Sequence, residues 1–225
     1  MYALLPMKAH SERVPDKNVR PLHGQPLFFY IGDTLQRTGL FERLVIDTDG
    51  PLIEALAKER YKEWVEIIQR PHELRGDFVP MNDVIAHDIR VLGLEHDFLQ
   101  THSTNPFLTR ETLLKATETY IEGKRDGRYD SLFAVNAIRT RLYDKDVKPL
   151  NHNPSVLGRT QDLDVIYEEN SNFYLFSGAS FMRNNHRIGQ TPQVFSMTRN
   201  SIESLDVDDL SDWEFAESVL RGRQG

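Results

Sequence analysis

The sequence contains no cysteine and no long apolar run. The absence of cysteine among its 225 residues excludes disulfide bonds and metal sites built from thiolates. No stretch approaches the roughly 20 apolar residues that a membrane-spanning helix needs. Lys8 and His10 follow the N-terminal apolar residues too early for a signal peptide. We therefore expect a cytoplasmic protein without a membrane partner.

Several motifs of common enzyme classes are also missing. Neither GxGxxG nor GxxxxGK followed by Ser or Thr occurs, so a glycine-rich phosphate loop has no support. Gly-x-Ser-x-Gly is absent, and with no thiol nucleophile covalent acyl transfer has no support either. The eight histidines show no HxxxH or HExxH spacing, which argues against a three-histidine metal site. The net charge of −7 argues against a nucleic-acid partner.

Short apolar runs alternate with amphipathic stretches through the first 135 residues. Predicted strands cover residues 3–5, 43–47, 65–69, 97–100 and 131–135, and predicted helices cover 26–40, 51–61, 80–92 and 109–121. This alternation is typical of an α/β fold with a mostly parallel, twisted sheet flanked by helices. In such sheets ligands bind beyond the carboxyl ends of the strands. The length favours a single domain, residues 1–225.

The pattern changes after residue 139. Residues 139–143, 173–176 and 193–197 have strand character, whereas 149–164 is polar and rich in turn residues. We interpret residues 139–172 as a small β-rich arm of the kind that makes dimer contacts. A final helix is predicted to open on a capping box at Ser211.

The loop after the first strand is a basic island in an acidic protein. It carries four cations, which are Lys8, Arg13, Lys17 and Arg20. A strand that leads into a cationic loop and then a helix is a common arrangement for phosphate binding in α/β proteins. The alternative is a solvated basic loop, because Glu12 and Asp16 lie between the cations.

Asp206 and Asp208 lie two residues apart in an extended segment, so their side chains point the same way. Such a pair can hold Mg²⁺ while the metal keeps waters and bridges substrate phosphates. The alternative is that these acids simply precede a helix, where the dipole favours negative charge.

Two further groups are predicted at the same edge of the sheet. Arg70 ends a strand and could bind phosphate or base, or it could form a surface salt bridge. The loop after the fourth predicted strand offers polar side chains that could hydrogen-bond a base or a sugar, or could instead stabilise a turn before a proline. They are Gln100, Ser103, Thr104 and Asn105.

These features occur together in one family. They are Lys8, Ser11, Pro15, Lys17 and Asn18 in the first loop, Ile46-Asp47-Thr48-Asp49, Arg70-Pro71-His72-Glu73-Leu74 with Asp77, the run from Phe98 to Leu108, Arg159-Thr160-Gln161-Asp162-Leu163-Asp164 with Tyr167 and Asn170, and Asp206-Val207-Asp208. In this order they resemble the cytidylyltransferases that activate 3-deoxy-2-ulosonic acids, the acylneuraminate branch in particular. The resemblance covers nearly the whole chain.

The resemblance implies a Rossmann-like nucleotidyltransferase fold, a homodimer and an Mg²⁺-dependent reaction. CTP and a sugar acid would give a CMP-sugar and pyrophosphate. The implied catalytic residues are Lys17, Asp208 and Lys8, and the implied metal ligands are Asp206 and Asp208. The implied nucleotide-binding residues are Lys8, Ser11, Arg13, Lys17, Asn18, Arg70 and Asp77. The implied sugar-acid residues are Gln100, Thr104, Arg159, Tyr167 and Asn170. The arm would reach the neighbouring subunit's site.

The sequence departs from the family pattern mainly where the sugar would bind. Lys8 replaces the first arginine of the loop, and a lysine is a point charge rather than a bidentate fork. Ser171 replaces a glycine after Asn170, and Glu168 stands where the family often has a basic residue. Two alternatives therefore stay open: a sugar nucleotidyltransferase with another nucleotide or acid, and a nucleotide-binding relative without catalysis.

Overall fold

The computed structural model describes residues 1–198 and 201–223, and in these ranges seven strands form one mixed sheet. Together with the two strands of a separate hairpin, the strands of the described ranges are β1 Tyr2–Leu4, β2 Pro21–Leu22, β3 Gln25–Pro26, β4 Arg43–Thr48, β5 Val65–Gln69, β6 Asp97–Thr101, β7 Ser131–Ile138, β8 Ile166–Ser177 and β9 Pro192–Met197. The helices are α1 Leu27–Thr38, α2 Pro51–Tyr61, α3 Met81–Leu92, α4 Arg110–Arg125, α5 Gly178–Asn184 and α6 Leu210–Gly222.

The strand order in the sheet is β5-β4-β1-β6-β8-β7-β9. Strands β5, β4, β1 and β6 are parallel neighbours, as are β7 and β9, and β8 runs antiparallel to both β6 and β7. Strands β2 and β3 form a separate small hairpin. The predicted α/β class with a mostly parallel sheet is confirmed. The carboxyl ends of β1, β4, β5 and β6 consequently share one edge.

Alternate strand residues supply a core on each face of the sheet. Ala3 and Leu5 pack with α1, α2 and α4, whereas Leu4 packs with α3 and α5. A third apolar cluster lies under α6 and joins Val14 of the first loop to Val207 and Trp213. Because Val14 and Val207 share this cluster, the basic loop and the acidic segment are packed together although they lie at opposite ends of the chain.

Most predicted elements of the first 138 residues are confirmed within one or two residues. Helix α1 begins after Pro26 and ends before Gly39, whose φ of 68° is the left-handed conformation that glycine adopts readily. Helix α2 has Pro51 at its first turn, where a missing N–H costs nothing. Helix α4 is longer than predicted and continues to Arg125.

The predicted strand at residues 139–143 is wrong. In its place the described chain has a single bridge between Tyr143 and Pro149, closed around Asp144, whose carboxylate accepts the N–H groups of Asp146 and Lys148. These local side-chain bonds replace a strand ladder. The predicted strand at 173–176 is the end of the longer β8, which starts at Ile166.

The predicted capping box at Ser211 is also wrong. Asp209 is the N-cap of α6, its carboxylate accepts the N–H groups of Ser211 and Asp212, and the Asp212 carboxylate accepts the N–H of Asp209 in return. Helix α5 was not predicted, because its seven residues are too few for a periodic pattern. None of the helices in 1–198 and 201–223 combines the length and apolar character that crossing a bilayer requires.

Candidate active site

A cleft of about 420 Å³ opens where β1 and β5 end. It is lined by the loop after β1, by Arg70 at the end of β5, and by the loop that leads to α3. All the residues predicted to bind nucleotide lie on this cleft: Lys8, Ser11, Arg13, Lys17, Asn18, Arg70 and Asp77. The structure thus brings together side chains that are up to 69 positions apart in the chain.

Asn18 stabilises the basic loop through hydrogen bonds of its side-chain amide. Its side-chain amide donates to the carbonyl of Lys8 at 2.9 Å, and its side-chain oxygen accepts from the hydroxyl of Ser103 at 2.5 Å. The Asn18 carbonyl also accepts the N–H of Phe28 in the first turn of α1. Asn18 is therefore buried and bonded at both ends of its amide, so it fixes the loop's shape and its link to the loop after β6.

Lys17 connects the basic loop to the acidic segment 190 positions later. Its ammonium donates to the carbonyl of Val207 at 2.9 Å and lies 3.5 Å from Asp208. Only 12% of its side chain is exposed. Burial lowers the pKa of Lys17, and the carboxylates of Asp208 and Asp206 oppose that shift. Lys17 is thus a partly desolvated cation at the floor of the site.

Asp206 and Asp208 flank a buried residue, Val207, whose N–H donates to the carbonyl of Thr104 at 2.8 Å. Asp208 accepts from Arg13 at 2.8 Å. Burial raises the pKa of Asp206, with the nearby Asp208 carboxylate acting in the same direction. The Asp206 Oδ1 atom is buried without a hydrogen-bond partner among the described residues.

This pair fits a hard divalent cation. An orphaned, buried carboxylate oxygen is costly unless a cation satisfies it, and a second carboxylate lies within electrostatic reach. The alternative places these acids in the field of the α6 dipole. The capping bonds of α6 are made by Asp209 and Asp212, so neither Asp206 nor Asp208 is needed as a cap.

Two ion pairs fix side chains that line the cleft. Lys8 pairs with Asp77, and this partner lowers the pKa of the Asp77 carboxyl. Arg70 pairs with Asp47 at the end of β4. Arg70 is only 5% exposed, so the alternative of a surface salt bridge is wrong. Asp47 holds a buried guanidinium against the wall of the cleft.

A second carboxyl group, that of Asp88 on α3, faces the Asp47–Arg70 pair. Asp88 is 1% exposed and neither of its oxygens has a donor among the described residues. His87 Nδ1 lies 3.6 Å from Asp88 and 4.0 Å from Asp47. These three residues place one potential metal-ligand atom each within 4.8 Å of one another. Because the Asp47 carboxylate already pairs with the Arg70 guanidinium, we interpret the three residues as an ion-pair cluster that fixes Arg70.

Asp88 makes stability depend on pH. Burial, followed by repulsion from the Asp47 carboxylate, raises the pKa of Asp88 far above the usual aspartate range. The folded protein then holds a proton that the unfolded chain has released, so stability falls as pH rises from about 4 toward the raised pKa. We expect Asp88→Asn, which mimics the neutral acid, to raise Tm at pH 8 by about 4 °C or more, with the gain shrinking toward pH 4.

Thermal unfolding of the parent and the variant between pH 4 and pH 9 measures this effect. Asp83→Asn is the matched control, because it removes the same charge from an exposed position of the same helix. A gain that does not widen with pH would show that Asp88 is ionised in the folded protein.

The residues predicted to contact a sugar acid fall into two sets. Gln100 is fully buried, its amide donates to the Thr101 carbonyl at 2.8 Å, and the hydroxyl of Thr104 lies against Asp206. Asn170 is engaged with Asn136 and Met197. Arg159 pairs with Asp162, and both Arg159 and Tyr167 are exposed and do not line the cleft. None of the five lines the cleft. The structure places Thr104 against the acidic segment and Gln100 in the buried end of β6, whereas Arg159 and Tyr167 lie on the exposed surface.

Two residues of this region were not predicted from the sequence. Arg187, in the segment between α5 and β9, donates to Gln100 Oε1 at 2.6 Å. The His102 ring lies 3.2 Å from the Gln100 amide nitrogen. Burial lowers the pKa of His102 to about 4, assisted by the cations of Arg187 and Lys17. His102 is thus a neutral imidazole at pH 7, between the Gln100 side of the site and Lys17.

Comparison with known proteins gives a consistent picture. The cytidylyltransferase family model matches residues 2–224. The chain is 24% identical over 230 residues to the pseudaminic acid cytidylyltransferase of Campylobacter jejuni subsp. jejuni serotype O:2, across 97% of this chain and 95% of that protein. It is 24% identical over 226 residues to the N-acylneuraminate cytidylyltransferase of Escherichia coli O18:K1:H7, across 96% of this chain and 51% of that protein.

The fold has a solved counterpart. The structure of CMP:2-keto-3-deoxy-manno-octonic acid synthetase complexed with CTP superposes with a TM-score of 0.67 at 12% identity, over 98% of each chain. At that identity the likeness concerns the fold. Since the family model spans nearly the whole chain, and the cleft lies where α/β folds bind their ligands, the chain belongs to the cytidylyltransferase family and is a nucleotidyltransferase.

Proposed function

We propose that the protein transfers CMP from CTP to the anomeric hydroxyl of a 3-deoxy-2-ulosonic acid and releases pyrophosphate, with Mg²⁺ required. The observation that carries the proposal is a cleft lined by a cationic loop and Arg70, two of whose cations, Arg13 and Lys17, pair with Asp208 of the acidic segment. The names of two relatives, which act on pseudaminic acid and N-acylneuraminate, support an acidic sugar as acceptor.

The reaction needs charge neutralisation and positioning more than a protein nucleophile. The anomeric oxygen bonds to the α-phosphorus, the bond from that phosphorus to the bridging oxygen of the β-phosphate breaks, and the hydroxyl proton is released to solvent. Lys17, Arg13 and Lys8 would hold the triphosphate, with Ser11 and Asp77 shaping the same wall. Arg70, fixed by Asp47, would place the nucleotide.

Asp206 and Asp208 would hold the Mg²⁺ ion. When bound there, the ion neutralises charge on the phosphates and helps the pyrophosphate leave. In the free protein Arg13 and Lys17 pair with Asp208. These two cations would exchange Asp208 for the triphosphate when the metal ion and CTP arrive together. This exchange makes nucleotide binding dependent on the divalent ion.

The sugar acid would lie beyond Gln100 and Thr104. We also propose that residues 139–172 form an arm of this single domain that contacts a second copy of the chain. The arm is largely exposed and carries apolar side chains such as Leu157, which is 93% exposed. A homodimer of this kind would bring Arg159 and Tyr167 to the neighbouring site, and would account for their distance from the cleft within one chain.

Pyrophosphate release tests the proposed function. The protein is incubated with CTP or UTP and with pseudaminic acid, N-acetylneuraminic acid or 3-deoxy-manno-octulosonic acid, with Mg²⁺ or with EDTA. We expect release with CTP, with at least one of the acids, and only with Mg²⁺. Turnover with UTP but not CTP would favour a different nucleotidyltransferase. Metal-dependent CTP binding without turnover of any acid would favour a relative that has lost catalysis.

A further inference from the structure

Arg187 is a mostly buried cation without a carboxylate partner in the described parts of the chain. Its Nη1 donates to Gln100 Oε1 at 2.6 Å, and its Nε atom is buried with no hydrogen-bond partner there. A guanidinium stays protonated at neutral pH even when burial lowers its pKa. Taking such a charge out of water is unfavourable unless an anion or a full set of acceptors compensates.

The surroundings of Arg187 compensate the charge only in part. The guanidinium lies over the ring of Tyr174, with its central carbon 3.8 Å from the ring centroid. This cation–π contact contributes some stabilisation and orients the plane of the guanidinium. Glu169 accepts the hydroxyl of Tyr174 instead of pairing with Arg187. The Glu169 carboxylate acts on Arg187 only through space, where it opposes the lowering of the arginine pKa by burial. The protein therefore orients this cation but gives it no directly paired carboxylate among the described residues.

The position of Arg187 points to the acceptor side of the reaction. Arg187 contacts Gln100 near the end of β6. The cations of Arg187 and Lys17 both lower the pKa of His102, which lies in the loop after β6. Arg187 thus lies across Gln100 and His102 from the residues that would hold the triphosphate. In a 2-ulosonic acid the carboxylate is bonded directly to the anomeric carbon. An acceptor whose anomeric oxygen reaches the α-phosphorus must place that carboxylate only a few ångströms away.

We propose that Arg187 binds the carboxylate of the acceptor acid, and that this contact makes the site select acids over neutral sugars. The inference rests on the proposed function and adds a specificity residue to it. Gln100 acts with Arg187, because its side-chain oxygen fixes Nη1 while the remaining guanidinium nitrogens face the substrate carboxylate. Arginine suits this task because its planar fork matches the two oxygens of a carboxylate.

Binding to the CDP-loaded protein tests the proposal without turnover, since CDP cannot donate CMP with release of pyrophosphate. Titration calorimetry measures the affinity of N-acetylneuraminic acid, of pseudaminic acid and of their C1 carboxamides in saturating CDP and Mg²⁺. We expect Arg187→Gln to weaken binding of the preferred acid roughly 10- to 100-fold. We expect binding of its carboxamide to change less than about threefold, and the affinity for CDP to stay the same.

Two further measurements separate recognition from a structural role. Removing an unpaired buried charge should leave Tm of the free protein unchanged or higher, whereas loss of a structural contact would lower it. Arg187→Lys should restore part of the preference for the acid over the carboxamide. Arg183→Gln, which removes an exposed arginine of α5, is the matched control and should change none of these quantities.

The outcomes are distinguishable. If wild type binds the acids and Arg187→Gln binds them equally well, or loses acid and carboxamide alike, the assignment of Arg187 is overturned while the proposed function stands. If wild type binds CDP but neither acid, and 3-deoxy-manno-octulosonic acid also fails to bind, the acceptor class of the proposed function is overturned and the assignment with it.

Discussion

Asp208→Asn is expected to lower kcat for CTP-dependent pyrophosphate release by about 10³-fold while leaving the fold intact. The substitution keeps the size of the side chain but removes the negative charge that would bind the metal ion. A bound metal ion supplies several kcal/mol of charge stabilisation in the transition state, and about 4 kcal/mol corresponds to that factor. The half-saturating Mg²⁺ concentration should rise as well, because Asp206 alone would remain as a carboxylate ligand.

Asp209→Asn provides a closely matched control. It makes the same chemical change one residue away, at the N-cap of α6, where asparagine caps as well as aspartate. Its Tm and its turnover should both match the parent. Steady-state kinetics across a Mg²⁺ series, together with circular dichroism of each variant, measures the difference. Retention of kcat within about threefold in Asp208→Asn would refute the metal assignment.

The residues proposed to hold the nucleotide could be predicted to share one site because they follow local patterns. The basic loop is one continuous stretch, and the spacing of Asp206 and Asp208 alone places both side chains on one side of an extended segment. The structure adds how they meet. Val14 and Val207 share one apolar cluster, so the hydrophobic core sets the distance between Lys17 and the two acids.

The residues on the proposed acceptor side could not be predicted in the same way. Arg187 lies in a short irregular segment with no periodic pattern, and its partner Gln100 is 87 positions away. Asp88 occupies what reads as a polar position of an amphipathic helix. It becomes buried only because α3 packs over the Asp47–Arg70 pair. Such placements depend on tertiary packing, and neither residue propensity nor spacing contains that information.

Lys17→Met is expected to reduce kcat/KM for CTP by about 10²- to 10³-fold, the loss typical for a pre-oriented group that stabilises developing charge. Methionine keeps much of the volume of the buried stem, so the variant should fold. What it loses is the ammonium between the Val207 carbonyl and Asp208. Calorimetry with CTP and Mg²⁺ should show weaker nucleotide binding, and Lys115→Met, at an exposed position of α4, should show none of these losses.

The pH dependence of the parent enzyme gives a second test of Lys17. Because burial lowers the pKa of Lys17, the free protein should lose this charge at a lower pH than an exposed lysine does. The profile of kcat/KM reports ionisations of the free enzyme, so its alkaline decline should begin below the usual lysine range. In Lys17→Arg the charge persists, and the decline should move to higher pH even if the overall rate is lower. An alkaline limb that stays in place in Lys17→Arg, or CTP affinity that is unchanged in Lys17→Met, would show that the triphosphate is held by the other cations of the loop.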